Sequence, residues 1–112
     1  MLRLTLDLDG INVNRALRKY NLIKLLYPNA TGYELRRSSG GKGVHLLAYN
    51  VYPSSQEGIA DLLADRISLG DDRRRIIKDF TRILTGLPFN VLFTSKEGKN
   101  AEVLKTEAKP KR

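Results

Sequence analysis

The chain has 112 residues, 41% of them apolar, which is enough for one hydrophobic core and too little for two domains of ordinary size. It contains no cysteine, which excludes a disulfide framework and every thiolate metal site, zinc ribbons and fingers included, and makes a reducing compartment, the cytoplasm, the expected home. Twenty Lys and Arg against twelve Asp and Glu give a net charge of +8, the electrostatic footprint of a partner of phosphate backbones.

From Leu2 to Asp9 apolar and polar residues alternate, with Leu2, Leu4, Leu6 and Leu8 on one face and Arg3, Thr5, Asp7 and Asp9 on the other, which predicts a half-buried strand. No apolar signal-peptide core precedes it, and no stretch approaches the roughly 20 apolar residues of a membrane span, so no membrane partner is expected. Asn12 or Asn14 can cap a helix with apolar positions Val13, Leu17, Tyr20, Ile23 and Tyr27, closed by Pro28. Strands are predicted over Thr31 to Arg37 and Val44 to Tyr52, separated by the glycine-rich stretch from Ser38 to Gly43. A capping box between Ser54 and Glu57 opens a second helix through Ile59, Leu62, Leu63 and Ile67, stopped at Gly70. Asp71 or Asp72 caps a third, with Ile76, Ile77, Phe80, Ile83 and Leu84 at helical spacing. Phe89 to Thr94 reads as a short strand, Lys96 to Lys99 as a turn, and Ala101 to Lys105 as a last edge strand. The expected fold class is α+β: a small, largely antiparallel sheet with helices on one face, in one domain over residues 1–98 followed by a basic tail over 99–112.

Two constellations carry chemistry. Asp7 and Asp9 point the same way from their strand, opposite to the leucines; two carboxylates so close repel unless a cation sits between them, and a divalent metal with oxygen preference is the usual solution. A solvated acidic strand face with Arg3 as partner is the plainer alternative. The stretch from Arg36 to His45 gathers Ser38, Ser39, Lys42 and the single histidine around three glycines, whose backbone N–H groups can approach an anion. It is a plausible phosphate cradle; a flexible hairpin with a packed His45 accounts for the same residues. It is not a P-loop, because Gly43 follows Lys42 and a strand follows the loop.

Taken together, Leu6-Asp7-Leu8-Asp9 and, one β-α-β unit later, Ser38-Ser39-Gly40-Gly41-Lys42-Gly43-Val44-His45 resemble two motifs of the archaeo-eukaryotic primase superfamily, with its primase-polymerases and the polymerase domains attached to bacterial end-joining ligases. The resemblance covers residues 4 to 49 well and 70 to 98 loosely, and would make this a stripped version of longer cores with an RRM-like or primase-like sheet. It implies that Asp7 and Asp9 hold catalytic Mg or Mn ions and that Ser39, Lys42 and His45 bind a nucleoside triphosphate. The family's third carboxylate, followed by Arg three residues on, is matched by Asp79-Phe80-Thr81-Arg82, although an intrahelical ion pair of Asp79 with Arg75 or Arg82 explains the same residues. The implied reaction is two-metal nucleotidyl transfer on a DNA or RNA template, with Asp7, Asp9 and Asp79 as metal ligands and Arg36, Arg37, Arg73, Arg74 and Arg75 as backbone contacts. Asp7, Asp9 and His45 should then share one open face of the sheet. The rival readings are a non-catalytic primase-like binding module and a regulatory protein of a virus or plasmid, with a homodimer or a replication protein as further partner. A HUH-type nuclease, which needs two histidines on one strand, is excluded by the single His45.

Overall fold

The leucine alternation produces strand β1 over Leu2–Asp9, in a computed structural model that describes residues 1–37, 43–90, 95–96, 99–100 and 102–108. Asn12 ends the following loop and caps helix α1 (Val13–Leu26), its side chain accepting from the Arg15 N–H at 2.9 Å. Strands β2 (Gly32–Arg37) and β3 (Gly43–Tyr52) follow. Both β1 and β2 run antiparallel to β3, which lies between them, so β1, α1 and β2 form a split βαβ unit with parallel outer strands. Helices α2 (Gln56–Ser68) and α3 (Arg73–Leu84), a short antiparallel pair β4 (Ser95–Lys96) and β5 (Lys99–Asn100), and strand β6 (Glu102–Ala108) complete the chain. The main sheet has the order β1-β3-β2-β6 and is antiparallel throughout. The fold is α+β. Among the described residues no helix is long and apolar enough to cross a membrane.

One core forms where Ala16, Tyr20 and Ile23 of α1 and Leu62 of α2 meet Leu4, Leu6, Leu8, Leu35, Leu46 and Ala48 of the sheet. Both helices therefore cover the same face. Because α1 and α2 cover that face, the alternating residues Thr5, Asp7, His45, Glu34 and Arg36 lie on the other.

Five local expectations change. The α2 cap is Ser55, not Ser54: its Oγ accepts from the Gly58 N–H at 3.0 Å, and Glu57 sits inside the first turn. On α2 the inward position taken for Ile67 is filled by Arg66, which is fully buried while Ile67 is exposed. On α3 Ile76 is buried as expected, but Ile77, Phe80 and Leu84 are exposed and Asp79 takes a buried position. After α3, Phe89 and Asn90 belong to no strand, and residues 91–94 lie outside the described residues. The stretch 99–112 is not a tail throughout either, because β6 pairs with β2 from Gly32↔Ala108 to Arg37↔Glu102.

Gly43 matters to the site because it faces Asp9 across the ladder, where a Cβ would come within 2.4 Å of the Leu8 carbonyl oxygen. Gly43→Ala should therefore part β1 from β3 and lower stability by roughly 2 kcal/mol. Gly10→Ala should cost less, about 1 kcal/mol, since only its φ of +67° resists a side chain there. Thermal denaturation of the two variants ranks them; the reverse order would show that the strands yield.

Candidate functional site

The β1–β3 register sets Asp7 directly opposite His45, and the β2–β3 register sets Arg36 on the far side of His45. Asp7, His45 and Arg36 thus form one cross-strand row on the face away from the core, with Thr5, Leu47 and Glu34 as the neighbouring row. Asp9, exposed, stands two residues on from Asp7 and opposite Gly43. Asp7, Asp9 and His45 are brought together as the resemblance implies. The face is less open than expected: Thr5, Leu47 and His45 are buried, and Asp7 is partly so.

Asp7 and His45 do not form an ion pair. His45 Nε2 lies 3.6 Å from Asp7 Oδ1, too far for a hydrogen bond. The Asp7 carboxyl is pushed up to about 6, by burial first and by the charge of Asp9 next, against the opposing pull of Arg75. His45 is pushed down, by burial first and then by Arg75 and Arg36, so the ring is neutral at pH 7. Among the described residues, Asp7 Oδ1 and His45 Nδ1 are buried and have no hydrogen-bond partner.

The outer edge of β1 is closed by side chains. Asp71, fully buried, accepts from the Asp7 N–H at 2.7 Å and the Asp72 N–H at 2.9 Å through Oδ1, and from Arg66 Nε at 2.6 Å and Arg75 Nη1 at 2.9 Å through Oδ2. The Asp72 N–H returns a bond to the Asp7 carbonyl at 3.1 Å. Arg75 also donates to the Thr5 carbonyl at 3.0 Å and to Thr5 Oγ1, and Thr5 Oγ1 donates to Asn90 Oδ1. Asn90 in turn donates to the Arg3 carbonyl at 2.7 Å.

Asp79 belongs to this network. It is fully buried on α3; Oδ2 accepts from Arg66 Nη1 at 2.7 Å and the Asn90 N–H at 3.0 Å, and Oδ1 from Arg82 Nη1 at 3.2 Å. Among the described residues no three His, Asp or Glu side chains are grouped so as to hold a metal ion. Asp71 and Asp72 are likewise engaged, in the network and in capping α3.

The arginines divide. Arg36 makes a two-pronged pair with Glu34 (2.7 and 2.9 Å), which holds that carboxyl below its usual range, and Tyr49 donates to the same Glu34 at 2.9 Å. Arg75 faces inward, Arg37 is half-buried at the end of β2, and Arg73 and Arg74 are exposed. Ser39 and Lys42 lie outside the described residues. Sequence reasoning missed Arg66, Thr5 and Asn90. The signal for Arg66 was present, because it follows Ile59, Leu62 and Leu63 at the next inward position of the helical repeat. No family model, no curated protein and no solved structure matches the chain.

The residues present fit a divalent cation of the Mg or Mn kind: two neighbouring carboxylates, one of them with a buried, unpartnered oxygen whose ionisation the other opposes. Asp7 stays protonated in the folded chain up to about 6 but ionises near 3.8 when unfolded, so its contribution to stability falls as pH rises through that window. Asp7→Asn should therefore raise stability at pH 8 by about 1 kcal/mol, a figure reduced for solvent screening, and change nothing at pH 4. Urea unfolding at the two pH values measures this; no gain at pH 8 would show that the ionised carboxylate is already compensated. Asp79→Ala should cost about 3–5 kcal/mol by breaking the buried pair with Arg66, which keeps only Asp71, and a loss under about 1 kcal/mol would contradict the network.

Proposed function

We propose that the chain is a primase-like domain whose Asp7–Asp9–His45 face binds a nucleoside triphosphate together with a divalent cation. The observation that carries this reading is the cross-strand apposition of Asp7 and His45 beside Asp9, with a buried, unpartnered atom on each of the first two. Asp7 and Asp9 would hold Mg or Mn, which, when bound, neutralises phosphate charge and polarises the phosphoryl oxygens. His45, neutral, has one ring N–H to donate to a phosphate oxygen without the desolvation cost of a buried cation. Ser39 and Lys42 are assigned to the triphosphate by the family resemblance, and the charge of +8 supports DNA or RNA as the polymeric partner.

Nucleotidyl transfer on a template is the second reading, and the Asp7–Asp9 pair favours it. Binding comes first because Asp79 has both oxygens engaged by Arg66, Arg82 and the Asn90 N–H.

Calorimetry with a non-hydrolysable nucleoside triphosphate and Mn²⁺ tests the proposal. Affinity should require the cation, vanish in Asp9→Ala, and fall about tenfold in His45→Ala through the loss of one hydrogen bond. Nucleotide binding that ignores the cation and both substitutions would overturn it. Template-dependent incorporation by the wild type, absent from Asp9→Ala, would put the second reading first. Single-stranded DNA should bind with an affinity that falls steeply with salt, and a flat salt response would assign the basic surface another use.

A further inference from the structure

Helix α3 buries Ile76 together with ions and leaves a second apolar stripe facing out. Arg75, Asp79 and Arg82 face the buried network, whereas Ile77, Phe80 and Leu84, at i, i+3 and i+7, form one stripe and are 55%, 47% and 85% exposed. Burying each such side chain is worth about 1.5–3 kcal/mol, and the chain forgoes that gain on this helix. A groove lies just past the helix end. Leu87, also mostly exposed, follows Leu84 by three residues and lines, with Met1, Pro88 and Phe89, an open groove of about 530 Å³ rimmed by Arg3.

The charges around the stripe choose the occupant. Arg73, Arg74 and Lys78 are exposed beside it, and the only acid of α3, Asp79, is buried, so the outward face carries apolar and positive groups and no negative one. A second copy of this chain would set basic flank against basic flank. Nucleic acid would use the basic flank alone and leave the isoleucine, phenylalanine and leucine stripe exposed. A helix with apolar residues at the same spacing and Asp or Glu on its flanks matches both the stripe and the charges. We infer that the outward face of α3 and the adjoining groove are a docking surface for a protein partner that presents an acidic amphipathic helix.

The test uses the full chain and a designed helical peptide with leucines at i, i+3, i+4 and i+7 and glutamates on both flanks. Fluorescence anisotropy should show saturable binding that weakens about tenfold in Phe80→Ser and in Leu84→Ser, with melting temperatures unchanged because both side chains are exposed. Arg74→Glu should weaken it and steepen no salt dependence, and the same peptide with lysine flanks should not bind. Absence of binding by the glutamate peptide, equal binding of the lysine peptide, or indifference to Phe80→Ser would overturn the inference. So would another occupant: a dimer by sedimentation that Phe80→Ser dissolves, cosedimentation with phosphatidylglycerol vesicles through the same residues, or duplex DNA displacing the peptide.

Discussion

The buried carboxylate of Asp71 holds the rest of the structure in place. It joins three parts that sequence keeps apart: the edge of β1 through the Asp7 N–H, helix α2 through Arg66, and helix α3 through Arg75. An edge strand exposes N–H and C=O groups that must find partners or attract another chain. On β1 those groups meet Asp71, Asp72, Arg75 and Asn90 in place of a further strand. Such closure is costly to build from ions, since desolvating each charge offsets much of the attraction, and it holds only while nearly every oxygen and guanidinium nitrogen is matched. Asp71 and Asp79 meet that condition with all four oxygens engaged.

The same network determines what Asp7 can do. Its backbone is fixed on both sides, by the β3 ladder and by Asp71 and Asp72, while its carboxyl group is left without a partner among the described residues. Arg75 lies close enough to oppose the rise in the Asp7 pKa and to keep His45 neutral, but donates its hydrogen bonds to Thr5 and Asp71. The position is held rigidly and solvated poorly, which disfavours the ionised acid in the free chain and favours any cation that removes the repulsion from Asp9. Destabilised charge on a fixed strand is what the proposed reading draws on, and a solvated acidic strand face would lack it.

Much of this was legible in the residues. The alternation from Leu2 to Asp9 fixed both the limits of β1 and the face on which Asp7 and Asp9 sit, because a slip of one residue would bury them. The glycine-rich break correctly separated β2 from β3, and alternation placed His45 on the face of Asp7 and Asp9, while the register that sets it opposite Asp7 had no local signal. The failures share a cause. Helical periodicity predicts apolar residues inward, which holds for α1, for Leu62 and Leu63 and for Ile76, but elsewhere on α3 the inward positions carry ions. Asp79 meets Arg66 across 13 residues, but Arg75 reaches Thr5 across 70, and the neighbouring Asp71 and Asn90 reach Asp7 and Arg3 across 64 and 87, separations at which no local pattern signals contact. Strand β6 was half seen for a related reason: its pairing depends on the exposed edge of β2, and its own charged residues resemble a solvated tail.

The standing of Asp79 decides how far the primase likeness reaches. To ligate a metal with Asp7 and Asp9 it would have to release Arg66, Arg82 and the Asn90 N–H. Arg66, fully buried and already with one nitrogen unpartnered among the described residues, would then face only Asp71. Breaking a buried pair in this way costs about 3–5 kcal/mol, a large part of the 5–15 kcal/mol that holds a domain folded. A cation held by Asp7 and Asp9 with phosphate oxygens and water completing its shell requires no such rearrangement, and Mg²⁺ is commonly bound by one or two carboxylates with substrate phosphates. The energetic asymmetry leaves Asp79 to the fold, and under the proposed reading a cation would rest on Asp7 and Asp9 alone.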